Sequence, residues 1–531
     1  MRKIFVNGSI YTFDKMHPQV EAVVVENGRF IDLGTTKDML KRWRTTNSEV
    51  IDFAGKAVTP GLIDSHLHIS GIANNFLNLD VSGVTSKRKM LEMIRERAAT
   101  LNDGEWLVGR GWNENIFTDG TIPTIEELDE AAPNNPLYIP RICGHASLVN
   151  SVALKRSEYH RDMPVPEGGT VILDGKTKEP TGLLLESAAQ IVTNHIPEPS
   201  YDDLKKGMRQ AIKFAMEKGL TSVHTNDPRY LGGMAQTWQI YDELIHGENL
   251  RLRSNLLIDH EYLDEIDELG FYTGYGDHFL RVGAVKIFAD GAMGRRTALL
   301  SEPYHDAPGQ YGDAMFDQET LYTIVKRARH LGMPIAVHTI GDKALENILD
   351  ILDQFPTVAY RDRLIHIQVL REDLIKRLLL PSRIADIQPR FLAGDFPWVI
   401  DRLGEERMKL SYAWKSLIDA GVVCAGGSDS PVEPVDPLLG IHAAVTRKLP
   451  NEDHNGYYPE QKLTIEHAFK LFTKMGAYPT NEETVKGTIT RGKLADMTVY
   501  SENPFTMEDA DQLLETTINM TIIDGHIMYK K

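Results

Sequence analysis

Gly61-Leu62-Ile63-Asp64-Ser65-His66-Leu67-His68 is the stretch on which the fold turns. It is a short apolar run that ends in two histidines two residues apart. On a strand, residues i and i+2 point the same way, so the imidazoles of His66 and His68 share a face. Two imidazoles at this spacing can ligate one metal ion through their ring nitrogens. The same spacing also occurs at unremarkable strand ends, so the pair alone decides nothing. What decides it is the architecture to which this strand belongs.

Working outward, short apolar runs alternate with longer segments of helical periodicity, the pattern of βα units on a parallel sheet. Candidate strands lie at residues 58–66, 221–224, 252–258, 282–288, 334–338, 364–368, 384–388 and 422–426. Eight is the number that closes a (β/α)8 TIM-type barrel, an α/β fold whose active sites sit at the C-terminal ends of the strands. Helical segments at 204–218 and 321–330 each stop before a glycine, Gly219 and Gly332. The two chain ends read differently. Residues 4–13, 22–25, 29–33 and 50–53 are β-rich, with Asn27-Gly28 as a tight-hairpin signal. Residues 497–500, 519–523 and 526–529 repeat the pattern around Asp524-Gly525. A small β-sandwich module built from both ends, 1–58 with 487–531, is expected to flank a barrel domain over 59–486. Separate end modules are the alternative. Residues 82–199 exceed one crossover and carry strand-like runs at 106–108 and 137–142, so an insertion covering the barrel mouth is expected there.

Composition narrows the function. The chain has 531 residues, 42% hydrophobic and 25% charged, enough for a large core. Its formal charge of −17 argues against nucleic-acid binding, which needs clustered Lys and Arg. The two cysteines, Cys143 and Cys424, give no disulfide framework. No apolar h-region or membrane-length apolar stretch is present, and the expectation is a cytoplasmic enzyme of a small-molecule substrate, not a membrane protein. A homodimer is left open.

Other polar residues fall where the barrel reading puts its mouth. His338 ends Pro-Ile-Ala-Val-His, His366 lies in Leu-Ile-His-Ile-Gln, Lys286 in Val-Gly-Ala-Val-Lys-Ile-Phe, and Asp429 follows Val-Val-Cys-Ala-Gly-Gly-Ser. One polar side chain at the end of an apolar strand is usually a satisfied core or rim group. Five strands converging with His66, His68, Lys286, His338, His366 and Asp429 call for a ligand.

These residues resemble the amidohydrolase superfamily: Pro60 to His68 on strand one, Lys286 on strand four, His338 on strand five, His366 on strand six and Asp429 after strand eight. Gly487-Thr-Ile-Thr-Arg-Gly-Lys-Leu-Ala-Asp496 resembles the superfamily's return into its β module. Gly109-Arg110-Gly111-Trp112-Asn113, Gly144-His145-Ala146 and Lys286-Ile-Phe-Ala-Asp-Gly291 are most similar to the long YtcJ-like branch, which includes N-substituted formamide deformylases. Asn113 stands where many relatives carry an acidic residue.

The resemblance implies a site for one or two divalent ions, with zinc the expected metal. His66 and His68 would hold the more buried ion, His338 and His366 the other, and a carboxylated Lys286 would bridge them. Carboxylation requires a neutral amine, and an apolar strand lowers a lysine pKa. The alternative is an unmodified Lys286 paired with a carboxylate such as Asp290. Divalent ions bring the pKa of bound water from about 15.7 toward 7 and polarise a scissile carbonyl. Asp429 would act as general base and then acid, although Ser-Asp-Ser-Pro also reads as a helix N-cap. Trp112, His145, His224 and Arg295 are candidate substrate-binding residues, each with a plain packing or solvated role as its alternative. The leading expectation is hydrolysis of an amide-type C–N bond, such as an N-formyl or other N-acyl group. Deamination of a ring amine and a catalytically inactive binding protein are the competing readings.

Overall fold

The computed structural model describes residues 2–118, 120–450 and 452–531. At its centre is an eight-stranded sheet in which sequential strands are neighbours. The barrel strands are β1 (Leu62–Leu67), β2 (Leu220–Asn226), β3 (Arg253–Asp259), β4 (Leu280–Phe288), β5 (Ile335–Thr339), β6 (Asp362–His366), β7 (Arg383–Ile387) and β8 (Cys424–Gly426). Every paired neighbour is parallel. β1, β2, β3, β6 and β7 are buried at every residue. That is why they read as continuous apolar runs rather than alternating ones: a parallel sheet is covered on both faces.

All eight expected strands are present, with one correction at the start. Residues 58–66 are not one strand. Ala57–Pro60 belongs to a different sheet, and β1 begins only at Leu62, after the break at Gly61. The expected helices are Tyr201–Glu217 and Gln318–His330.

β1 and β8 do not share a regular ladder, and the seam is closed at the level of the histidines. Asp429 N–H donates to the His66 carbonyl at 2.7 Å, and His68 N–H donates to the Ser430 carbonyl at 2.8 Å. The Asp64 carboxylate adds bonds from the backbone N–H groups of His66 (3.1 Å) and Ser428 (3.1 and 3.2 Å).

The chain ends fold together. Met497–Tyr500 pairs antiparallel with Ala57–Pro60 inside a six-stranded sheet that also holds Ser9–Tyr11, Gln19–Val20, Ile518–Ile523 and His526–Lys530. A four-stranded sheet of Arg2–Val6, Ala22–Glu26, Arg29–Gly34 and Ser48–Asp52 completes the module. Phe5, Val23 and Phe30 from the front of the chain share one core with Met497, Val499 and Ile522 from its end. Asn27 and Gly28 have φ of 51° and 71°, the left-handed pair that a two-residue hairpin turn requires. The Arg253 side chain of β3 forms a buried two-point ion pair with Asp496, at 2.7 and 2.9 Å, tying barrel to sandwich.

Residues Ile72–Gly207 form a second compact unit. It has its own six-stranded sheet, including Leu107–Arg110, Leu137–Pro140, Ala146–Val149 and Pro180–Leu185. Its core gathers Val81, Met90, Ile94, Leu107, Trp112 and Leu137. Among the described residues, no helix is long and apolar enough to cross a membrane.

Candidate metal centre

Each of the six expected positions lies at or just beyond a strand end of one barrel. His66 and His68 come from β1, and their rings meet edge to face at 5.3 Å between centroids. Asp429, three residues past β8, reaches both: its Oδ1 lies 3.3 Å from His66 Nε2 and 3.2 Å from His68 Nε2. Lys286 Nζ lies 3.2 Å from His66 Nε2 and 4.6 Å from the centroid of the Phe288 ring. The His338 ring packs against His366 at 4.5 Å, and His366 against His66 at 5.9 Å. The structure thus brings the six together, in two subgroups that meet where His66 packs against His366.

The imidazoles are aimed. His68 Nδ1 donates to the Asn226 carbonyl at 2.8 Å, His338 Nδ1 to Asp290 Oδ1 at 2.9 Å, and His366 Nδ1 to Gln388 Oε1 at 2.8 Å. Each bond fixes the proton on Nδ1 and leaves Nε2 as the ligand nitrogen, the arrangement that outer partners of metal-bound histidines provide. In all three the partner sits at or just past the end of a neighbouring strand. Asp290 is wholly used: its carboxylate also accepts from the N–H groups of Leu299 (3.0 Å), Ile340 (3.1 Å) and Gly341 (2.8 Å). The alternative pairing of Lys286 with Asp290 is therefore overturned, because Asp290 is bonded to His338 instead.

Below the histidines the barrel interior is charged. Arg363 donates to the Asp386 carboxylate and to the Ser65 carbonyl, and Ser65 Oγ donates to Asp386 at 2.5 Å. This braces the residue immediately before His66. Burial is the leading influence on the titration of the site. It holds the His66 and His366 imidazoles well below the ordinary histidine range, with Lys286 adding to the effect on His66 and His338 to that on His366. Burial also brings the Lys286 amine down to about 8. It opposes charge on Asp429, but hydrogen bonds from His66 and His68 outweigh it and hold that carboxyl well below the usual carboxylate range. For His68 the Asp429 carboxylate likewise outweighs burial, and the pKa is raised.

The donor set suits a divalent cation. Ligand atoms of His66, His68 and Asp429 all lie within 4.8 Å of one another. Buried His66 Nδ1 has no hydrogen-bond partner among the described residues. The neutral imidazoles of His66 and His366 and the ionised Asp429 carboxylate are in the protonation states that metal ligation needs, whereas His68 must give up a proton to ligate through Nε2. The backbone bends to present them: His366, Ile367 and Asp429 have φ of 79°, 46° and 56°. Left-handed non-glycine residues, a β-branched one above all, cluster at sites where the surroundings enforce them.

The remaining expectations resolve unevenly. Asp429 caps no helix; the helix that follows, Pro437–Thr446, is capped by Asp436. Trp112 is a correction: it is 2% exposed in the core of the second unit, and its one polar atom donates to the Ile139 carbonyl at 3.0 Å. No face remains for a substrate. His224 is also enclosed, 0% exposed, with burial and the charges of Arg363 and Lys486 pushing its pKa well down, so it is not a substrate contact either. His145 is exposed and bonded through Nδ1 to Glu186 at 3.1 Å. Arg295 is exposed with no ion pair among the described residues. Sequence reading missed Asn226, Asp290 as the partner of His338, Gln388, and the Arg363–Asp386 pair. Their signal was a polar residue within or just past the end of an apolar run.

The description "Amidohydrolase family" matches residues 49–529. The chain belongs to the amidohydrolase family. It is similar over its whole length to the protein YtcJ of Bacillus subtilis (strain 168), at 41% identity over 533 residues and 100% of both chains. It is 26% identical over 555 residues to the N-substituted formamide deformylase of Arthrobacter pascens, covering 99% of this chain and 98% of that one. Among solved structures, an uncharacterised metal-dependent hydrolase from Pyrococcus furiosus superposes with a TM-score of 0.77 at 28% identity, covering 95% of this chain and 100% of that one. The family and these likenesses support a hydrolase.

Proposed function

We propose that this family member is a metal-dependent amidohydrolase that cleaves an amide-type C–N bond, with N-formyl and other N-acyl compounds as its substrate class. The observation that carries the reading is the position of Asp429. One carboxylate oxygen stands 3.2–3.3 Å from the Nε2 atoms of two ligand-type imidazoles, where a proton acceptor beside a metal-held water is needed. The similarity to a formamide deformylase supports the bond type.

In this reading His66 and His68 would hold one ion and His338 and His366 the other, and Lys286 would contribute a carbamate ligand. Bound divalent ions, with zinc matching this imidazole and carboxylate set, supply an acidified water and a polarised carbonyl. Asp429 is ionised at neutral pH and accepts the proton of the attacking water on its carboxylate. It then returns that proton to the departing nitrogen. Asp290 and Gln388 keep the imidazoles turned, and the Arg363–Asp386 pair holds the strand beneath His66.

The test is metal content after chelator-free purification, combined with hydrolysis of a panel of N-acyl amines, N-acyl amino acids and cyclic amides. Two ions per chain and release of free amine are expected. In Asp429→Asn, metal should largely remain while turnover falls by several orders of magnitude. Unchanged turnover in that variant would remove Asp429 from the mechanism. One ion per chain with ammonia release from ring amines would establish a deaminase, and near-zero metal a binding protein.

A further inference from the structure

The ladder between β1 and β2 runs out at the pairing of Leu67 with Thr225. Beyond it, three consecutive residues at the exit of β2 hold three consecutive residues at the exit of β1. The Asn226 carbonyl accepts from His68 Nδ1 at 2.8 Å, and Thr225 Oγ1 accepts from Ile69 N–H at 3.0 Å. Asp227 Oδ1 accepts from Ser70 N–H at 2.8 Å and from Ser70 Oγ at 2.7 Å. The other oxygen, Asp227 Oδ2, accepts from Thr225 Oγ1 and from Tyr241 Oη, each at 2.7 Å. Thr225, Asp227 and Tyr241 are fully buried, and four donors fill the four lone-pair sites of one carboxylate. The helix Ile69–Leu77 explains why a carboxylate stands there, since it starts directly after His68. The first N–H groups of a helix have no partner within it, and the residue before the helix ordinarily caps them with its own side chain. Here that residue is His68, whose imidazole is engaged elsewhere, through Nδ1 with Asn226 and through Nε2 with Asp429. The cap comes from the neighbouring strand instead.

We propose that Asp227 is a positioning residue for His68: it caps, from the adjacent strand, the helix that His68 begins, and so frees that imidazole to serve as a ligand. The proposal rests on the reading of His68 as a metal ligand. A carboxylate suits the task, because the positive end of the helix dipole favours negative charge. Burial, together with the Asp227 charge, pushes the Tyr241 phenol well above its ordinary range, so it remains a donor. Tyr241 lies on the helix Met234–Asp242, which thereby backs the carboxylate from behind. With Asp227 in place the exit of β1 is fixed on both flanks, by the Ser430 carbonyl on the β8 side and by Thr225, Asn226 and Asp227 on the other. Loss of the carboxylate releases Ser70 and Tyr241 together, and the His68 ring loses its fixed aim.

Crystal structures and zinc titrations of Asp227→Leu and Asp227→Asn, each in the full chain, test this. Leucine keeps the shape and removes every acceptor. Asparagine keeps one acceptor for Ser70 and turns its amide N–H groups to the hydroxyls of Thr225 and Tyr241, which can rotate to accept. In Asp227→Leu the His68 ring should leave the Asn226 carbonyl, and zinc affinity at His66 and His68 should fall about 10- to 100-fold with the position at His338 and His366 unchanged. Zinc anomalous diffraction identifies which position is filled at each concentration. Asp227→Asn should restore most of both properties. An unmoved His68, an unchanged first affinity, or an equal fall at both positions would overturn the proposal, the last by showing a merely structural role. Absence of zinc binding in the unaltered protein would sink the two-metal reading alone, and the position of His68 in the metal-free crystals would still decide on Asp227. If Asp227→Leu does not fold, Thr225→Val, which breaks the Ile69 bond and one bond to Asp227, carries the same expectations with smaller losses.

Discussion

The sharpest consequence of the site concerns the chemistry of Lys286. To become a carbamate, its amine must be neutral: the nitrogen lone pair forms the N–C bond to carbon dioxide, and the ammonium-type proton that results leaves to solvent. An ordinary lysine with a pKa near 10.5 is about 0.1% neutral at pH 7.5, whereas one at about 8 is roughly one quarter neutral, a gain on the order of 200-fold. The same shift has a cost. Below pH 8 both the folded and the unfolded chain keep the lysine proton, and burying that charge disfavours the folded, unmodified state by about 3 kcal/mol. This penalty declines as pH rises from about 8 to 10.5, because the unfolded chain then still binds the proton and the folded one does not. Carboxylation would replace that buried cation with an anion, which bound divalent ions can offset at neutral pH. Protein stripped of metal and bicarbonate should therefore regain metal in a bicarbonate-dependent way. At constant dissolved carbon dioxide, the rate should rise about tenfold per pH unit below pH 8 and level off above it. Carbon-13 bicarbonate should place one label on each chain, and none on Lys286→Met. Complete reassembly with two ions in bicarbonate-free buffer, at a rate indifferent to pH, would refute the reasoning.

Three further substitutions probe separate parts of the fold. Asp290→Ala leaves His338 Nδ1 and three backbone N–H groups unpaired, so affinity for the ion at His338 and His366 should drop about 10- to 100-fold in a metal titration, with the His66 and His68 ion retained. Gly427→Ala would set a Cβ 2.6 Å from His66 N and 3.0 Å from Asp64 Oδ1; backbone and a bonded carboxylate cannot yield cheaply, and denaturant unfolding should show a loss of about 1–3 kcal/mol together with weaker metal retention. Asp496→Ala strands the buried Arg253 guanidinium, and the same unfolding measurement should show a loss of about 3–5 kcal/mol, with little change in the turnover of protein that remains folded.

The barrel was legible because its strands are buried on both faces and so stand out as unbroken apolar runs with a polar residue at the end. The chain ends were legible from hairpin signals at Asn27-Gly28 and Asp524-Gly525. Where reading failed, the missing information was spatial. Residues 58–66 look like one strand, since nothing local marks Pro60 and Leu62 as belonging to different sheets. Trp112 sits in a glycine-rich stretch typical of a binding loop, and only packing shows it to be core. The partners of His338 and His366 lie 48 and 22 residues away in sequence and become neighbours through strand order. Barrel topology would have pointed to them, since each orienting group lies on an adjacent strand or its loop.

That same topology gives the first part of the site its particular construction. His66, His68 and Asp429 lie across the one junction of the barrel without a regular ladder, and the bonds that close it are made by these residues' own backbones. Asp64 reinforces the junction by accepting from the N–H groups of His66 and Ser428. The proposed base and the ligands beside it are thus fixed to each other by the bonds that shut the barrel. A distortion that opens the seam must separate Asp429 from both imidazoles at once. Loss of the first metal position and loss of the general base should therefore occur together in any variant that weakens the junction. An ion at His338 and His366, whose imidazoles are oriented by Asp290 and Gln388 on other strands, should survive it longer.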